Sequence, residues 1–181
     1  MESRNKINKR GKTLTSLLSR YATLKHLALL FALLIIINML FALFFADLEH
    51  GVPDTHIHYT AEEFYTLMEG YTSEERVVYI RGLLLLDFLY PIIYSLFLSL
   101  LIFRLSHRTT ISLLPFGVLM FDFFENITLL ILVVHIPERF PVTASIAGYF
   151  TLIKWSLAAL CAVTVLILIV RRVLRAGRQN P

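Results

Sequence analysis

Four long apolar runs alternate with polar segments along the chain, at about residues 26–46, 82–103, 111–134 and 148–170. A helix needs roughly 20 such residues to cross the ~30 Å hydrocarbon layer of a bilayer. The last two connections are short, and short connections join antiparallel neighbours. The pattern therefore predicts an all-α, polytopic membrane protein, with four transmembrane helices in an antiparallel bundle.

Polar segments flank this membrane domain (26–170) on both sides. Residues 1–25 are basic, and leucines at helical spacing from Leu14 to Leu24 predict a short interfacial helix. A disordered basic leader is the alternative, and residues 171–181 form a basic tail. No small-residue cleavage site follows the first run, which is also too long for a signal peptide, so we expect a retained anchor.

The acidic loop 47–81 carries two helix-start signals. Thr60 with Glu63, and Thr72 with Glu75, have the spacing of capping boxes. The first pair predicts a short helical lid over the outer mouth of the bundle, and the second pair predicts the start of the helix that becomes the second span. The lid would carry three apolar side chains on one face: Phe64, Leu67 and Met68.

The same loop holds the weak candidates for metal binding. His56 and His58 would point the same way in an extended segment, as two metal ligands must, with Asp54 nearby. Their spacing matches no known metal site closely. We expect a solvated polar turn, no metal site and no cofactor.

The composition excludes an ordinary soluble domain. Hydrophobic residues make up 57% of the chain, charged residues 17%, and mean hydropathy is +0.70. Soluble domains carry about 25% charged residues. The single cysteine excludes an internal disulfide and a cysteine-cluster metal site.

The distribution of lysine and arginine predicts the orientation in the membrane. Thirteen of these residues fall on the side of the two termini: Arg4, Lys6, Lys9, Arg10, Lys12, Arg20, Lys25, Arg104, Arg108, Arg171, Arg172, Arg175 and Arg178. Only Arg76, Arg81 and Arg139 fall on the other side. Positive residues stay in the cytoplasm, so we expect both termini there, in a plasma membrane of the bacterial inner-membrane type.

The positive residues behind the net charge of +4 then determine the orientation in the membrane, and we expect no nucleic-acid partner. The basic ends would attract anionic lipid headgroups at about 1 kcal/mol per residue, which makes membrane lipids the expected partners. Homo-oligomer formation is compatible with the pattern.

Polar residues inside the spans predict one shared site. A charge at the bilayer centre costs at least ~2.5–3.5 kcal/mol, so such groups usually face the protein interior and pair. A rise of about 1.5 Å per residue places them all in the outer half, on four different helices. The candidate ligand-binding residues are Asn38, Asp87, Tyr90, Tyr94, Asp122, Glu125, Asn126 and Lys154.

Two local features give this site its chemistry. Asp122 and Glu125 lie one turn apart, so one carboxyl would keep its proton, and the two are the candidate catalytic acid–base pair. Pro91 has no N–H, so the carbonyl of Asp87 loses its helical partner and the helix should kink. We expect Lys154 to pair with Asp87 or Glu125. The alternative is that these groups form only a polar staple between helices.

The strings LLLLDFLYPIIYSLF, FDFFENITLL and TLIKW resemble a set of uncharacterised bacterial four-helix membrane proteins. Their pattern has a D-x-x-x-P span, a D-x-x-E-N span and a lysine in the last span; it covers about residues 60–160 and implies no activity. LFFADLEHGVP, with Asp47, is similar to the exit of the first span in the EXPERA (emopamil-binding) group of sterol isomerases and ligand-binding proteins. That resemblance implies cytoplasmic termini and an external loop after the first span. The D-x-x-E-N span departs from that group, so its chemistry is not transferred.

Three classes of function stay open, and whether the protein is an enzyme is undecided. The favoured class is a membrane-embedded binding or accessory protein for a lipid or small ligand. The second is an enzyme that acts on a lipid-borne substrate by carboxyl acid–base chemistry, and the third is an oligomeric transporter or channel subunit. A cavity that opens to lipid between helices favours the first two. A polar track to the cytoplasmic side favours the third.

Overall fold

The structure, a computed structural model of the chain, describes residues 13–46, 48 and 50–178, without the side chains of Asp54 and Arg178. It is 84% helical, and its described part contains no strand. The helices are α1 (13–21), α2 (Leu24–Phe44), α3 (Ala61–Gly70), α4 (Ser73–Gly82), α5 (Tyr90–Ser106), α6 (Thr109–Ser112), α7 (Leu114–Val134) and α8 (Pro141–Arg178). The basic residues before position 13, and Asp47 and Glu49, lie outside the described residues.

Within the described residues, four helical segments are long and apolar enough to cross a membrane, as the sequence predicted: Leu24–Phe44, Ser73–Ser106, Thr109–Val134 and Pro141–Gly177. The last one differs most from expectation. It begins seven residues before position 148, and the basic segment after position 170 continues the helix instead of forming a separate tail. The reason is local, because no proline and, before Gly177, no glycine interrupts that segment.

The second apolar segment is interrupted where Pro91 predicted a break. A π-helical turn, Leu83–Asp87, separates α4 from α5. Within it the Phe88 N–H donates to the Leu83 carbonyl at 3.2 Å, which is an i to i−5 bond. Pro91 has no N–H to offer the Asp87 carbonyl, which accepts a hydrogen bond from outside the helix.

The lid helix α3 forms as predicted. Its capping box is complete: the Thr60 N–H donates to Glu63 Oε2 at 2.7 Å, and the Glu63 N–H donates to Thr60 Oγ1 at 3.2 Å. Phe64, Tyr65 and Met68 are buried, whereas Leu67 is half-buried. The second capping box, of Thr72 and Glu75, starts α4 in the same way.

The lid packs on the first turns of α8. The hydroxyl of Tyr65 accepts the Phe140 N–H at 2.5 Å, and its ring lies 5.2 Å from the Arg139 guanidinium carbon. Gly148 of α8 meets the chain just before the lid, where an added Cβ would lie 2.0 Å from the Tyr59 carbonyl oxygen. Only glycine permits this approach.

Helix α5 is the centre of the packing, in contact with α2, α7 and α8, and α7 and α8 pack along their length. Helix α2 packs on α5 and has little contact with α8. The predicted N-terminal helix exists as α1. Its residue Leu18 is buried with Leu100 and Phe103 at the end of α5, while Leu17 and Tyr21 stay exposed.

Candidate functional site

A cavity of about 530 Å³ lies where α2 leaves the side of α8 uncovered. Helices α2, α5, α7 and α8 all contribute to its wall, and Val52 and Thr55 cover one end. Asn38 of α2 and Trp155 of α8 both line it and are both exposed, so the opening lies between these two helices. Its polar lining residues are Asn38, Thr55, Asp87, Tyr90, Tyr94, Asp122 and Lys154.

A buried ion pair forms part of one wall of this cavity, where Lys154 lines the cavity and its partner Glu125 does not. Lys154 Nζ lies 2.5 Å from Glu125 Oε2 and 3.9 Å from Asp122 Oδ1. The Thr151 hydroxyl, one turn before Lys154, donates to Glu125 Oε1 at 2.6 Å. Glu125 is fully buried and Lys154 is 8% exposed. The predicted contact between Lys154 and Glu125 is therefore confirmed.

Asp122 connects this ion pair to the cavity. The Tyr94 hydroxyl donates to Asp122 Oδ2 at 2.8 Å, while the other carboxyl oxygen faces Lys154. The ring of Tyr94 packs edge-on against Tyr90, 5.4 Å away. The Asp122 carboxyl thus lies between the Tyr94 phenol and the Lys154 ammonium, and Asp122 lines the cavity.

Asp87 is positioned through its backbone. Asn126 Nδ2 of α7 donates to the Asp87 carbonyl at 2.8 Å, so the oxygen that Pro91 leaves without a helical donor finds one on the neighbouring helix. Asn126 is fully buried, and Asp87 is among the residues that line the cavity. One proline and one asparagine, 35 residues apart in the chain, therefore position the backbone at Asp87.

Aromatic rings form the rim. Phe41 and Phe45 of the α2 side and Trp155 of α8 line the opening, and the Phe41 ring packs edge-on against Tyr90 at 5.6 Å. Lys154 Nζ lies 5.8 Å from the Trp155 ring. The lining is therefore mostly apolar and rich in aromatic rings, and Asp87, Asp122 and Lys154 bring ionisable groups to it.

The structure brings six of the eight candidate ligand-binding residues to the cavity and places the other two behind its wall. Glu125 and Asn126 do not line it. Sequence reasoning missed Thr151, and it missed Phe41 and Phe45 as cavity residues. A signal existed, because Asn38, Phe41 and Phe45 share one helical stripe and Thr151 precedes Lys154 by three residues.

The charges of the site do not balance. Among the described residues the site holds three carboxyl groups, of Asp87, Asp122 and Glu125, and one ammonium, whereas Arg81 is exposed and does not line the cavity. The lining residues toward the C-terminal ends of α5 and α8 and the start of α7 are apolar, namely Leu98, Val118 and Ala158. Such a cavity favours positive charge, and the Tyr94 hydroxyl supplies a proton donor beside a carboxylate.

The histidine loop makes no metal cluster in the part of the chain that the structure describes. His56 and His58 line a small cavity of about 130 Å³ with Glu63, and the Asp54 side chain lies outside the described residues. Glu63 is engaged by its helix cap, because the backbone N–H and hydroxyl of Thr60 hold the pKa of its carboxyl below the usual 4.5. His58 packs edge-on against Tyr149 at 5.6 Å.

Comparison with protein-family models, with characterised proteins and with solved structures finds no significant match to this chain. The resemblances drawn from its sequence therefore stay predictions.

Proposed function

We propose that this is an integral membrane protein whose four apolar helices form a membrane-spanning bundle with both termini in the cytoplasm. The exterior supports this proposal. Of the most apolar 18-residue stretch of Leu24–Phe44, only 11% is buried within the protein. For the corresponding stretch of Pro141–Gly177 the buried share is 6%. Side chains such as Leu43, 75% exposed, and Leu166, 60% exposed, cover these surfaces. A soluble monomer rarely exposes apolar patches of more than a few hundred Å².

Within that setting, the cavity binds an amphipathic cation, such as a lipid-like amine, that enters from the bilayer between α2 and α8. The observation that carries the proposal is a cavity that opens between α2 and α8 and whose mostly apolar lining combines aromatic rings with the two acidic residues Asp87 and Asp122. A cation over an aromatic face gains about 0.5–2 kcal/mol. A volume of about 530 Å³ is within the usual range of small-molecule sites, roughly 300–1,000 Å³.

The residues divide into two roles under this proposal. Asp87 and Asp122, which line the cavity, face the positive group of the ligand. Glu125 and Asn126 position those carboxyls: Glu125 keeps Lys154 paired beside Asp122, and Asn126 holds the backbone at Asp87. The structural and ligand-facing acids are therefore different residues.

Binding of decyltrimethylammonium to the full-length protein in lipid nanodiscs tests this proposal. We expect Asp122→Asn and Asp87→Asn to weaken binding by about tenfold each, the loss of one charge-assisted contact. Glu138→Gln removes an exposed carboxyl outside the cavity and is the matched control. Decanoate, with the same chain length and opposite charge, should bind poorly. Equal binding of the two probes, or equal losses in the control, would contradict the proposal.

A second candidate is an enzyme that acts on a lipid-borne substrate, and the hydrogen bond from Tyr94 to Asp122 favours it. Both residues line the cavity, so the phenol could donate its proton to a bound substrate, while the Asp122 carboxylate accepts a proton that the substrate releases and passes it to the phenolate. Tyr94→Phe would then keep ligand binding but abolish any change in membrane lipids, followed by mass spectrometry of cells that express the protein. A transporter is supported less, because the lining on the side of the termini is apolar, with Leu98, Val118 and Ala158, and offers no polar track there.

A further inference from the structure

A second cavity, of about 360 Å³, lies far from the lid, at the end of the molecule where α8 terminates. Its walls come from the connection between α5 and α6 and from the last turns of α8. Four arginines line it, namely Arg108 from the connection and Arg171, Arg172 and Arg175 from α8. Arg171 and Arg175 are one turn apart, so they share a face of the helix.

The charge of this cavity is strongly positive. Among the described residues, none of the four arginines forms a salt bridge with a carboxylate, since the salt bridges there involve Arg139 or Lys154. The three arginines of α8 are exposed, and Ser106, whose hydroxyl donates to the Ile102 carbonyl and accepts the Arg108 N–H, also lines the cavity. Like charges gathered without carboxylates repel one another unless an anion joins them.

The arginine-rich lining of this cavity indicates a phosphate group as the anion. Arginine forks match the geometry of a phosphate, to which each can donate two parallel hydrogen bonds. Leu105 and Leu168 add an apolar wall, and Leu168 is near the end of the apolar run 148–170. The cavity therefore lies at the boundary between the apolar and basic parts of α8, which is the depth of lipid phosphates if the helix spans a bilayer.

We propose that this cavity binds the phosphate of an anionic phospholipid in the leaflet next to the chain termini. The proposal rests on membrane insertion but not on the ligand of the first cavity, whose lining ends on α8 at Ala158, about 15 Å along the helix from Leu168. A free phosphate ion offers the same chemistry without the acyl chains, and the experiment distinguishes the two.

The test uses the full-length protein, stripped of lipid in a neutral detergent, and three probes. These are dioctanoyl phosphatidylglycerol, dioctanoylglycerol, which lacks the phosphate, and inorganic phosphate. Arg171→Gln/Arg175→Gln is the site variant, and Arg20→Gln/Lys25→Gln removes the same charge from the same end of the molecule outside the cavity. We expect phosphatidylglycerol to bind at least about tenfold more weakly to the site variant and within about twofold of wild type to the control.

Each result decides the proposal. Equal losses in both double variants would mean diffuse surface charge and would overturn it, as would binding of dioctanoylglycerol equal to that of phosphatidylglycerol. Inorganic phosphate that binds as tightly as the phospholipid would overturn the assignment to a lipid. Arg171→Lys/Arg175→Lys keeps the charge but not the fork, so intermediate affinity supports the proposal and wild-type affinity contradicts it. Decyltrimethylammonium binding should be unchanged in all these variants.

Discussion

The buried pair of Lys154 and Glu125 yields the sharpest prediction about stability. In Lys154→Met, the Glu125 carboxyl remains fully buried and loses the ammonium 2.5 Å away, while Thr151 still donates to it. Breaking a buried ion pair by removing one partner costs about 3–5 kcal/mol. In a chain of this size, each kcal/mol shifts Tm by roughly 2–4 °C, so we expect a decrease of about 6–20 °C.

The double variant Lys154→Met/Glu125→Gln separates two contributions to stability: the cost of leaving one buried charge unpaired, and the net stabilisation from the ion pair. It removes both charges, and the amide can still accept from Thr151, so much of the lost stability should return. A double-mutant cycle from thermal unfolding in detergent should give a coupling of at least ~2 kcal/mol. Arg139→Gln is the control, because its contacts with Glu62 and Glu69 are exposed and such pairs contribute about 0–1 kcal/mol.

Additive losses in the cycle would refute this reasoning, because they would show that neither charge depends on the other. A double variant as unstable as Lys154→Met would also contradict it. Loss of probe binding by Glu125→Gln without any loss of stability would instead assign Glu125 to the ligand.

Three further predictions concern the lid and the orientation. Gly148→Ala places a Cβ 2.0 Å from the Tyr59 carbonyl and should destabilise lid packing by about 1–3 kcal/mol, whereas Gly177→Ala, with open space around it, should not; proteolysis of the lid measures both. The pKa of Glu63 is lowered in the fold, so its capping contribution is complete above the usual 4.5 and is lost as the pH falls through the lowered pKa. Lid cleavage by pepsin should therefore be faster below about pH 4 than at about pH 5, relative to a control peptide, and pH-independent cleavage would contradict this. A cysteine in place of Glu62 should react with an impermeant reagent from outside the cell, and labelling only from the cytoplasm would reverse the orientation.

Much of the fold follows from patterns that lie close together in the chain. Apolar runs of spanning length, capping boxes three residues apart and a proline that removes one hydrogen bond act through neighbouring residues, and the structure contains all of them. The ion pair of Lys154 and Glu125 could also be predicted from the sequence, because a charge in an apolar span must find a partner at its own depth.

Only the tertiary structure decided which acid faces the cavity. Asp122 and Glu125 lie on one stripe of α7, yet the first lines the cavity and the second is enclosed by Lys154 and Thr151. Two residues one helical turn apart share a stripe, so helical periodicity cannot tell which of them lines the cavity and which lies behind its wall. The rotation of α7 against α8, and the gap that α2 leaves beside α8, depend on side chains far apart in sequence, and these contacts determine which groups a ligand can reach.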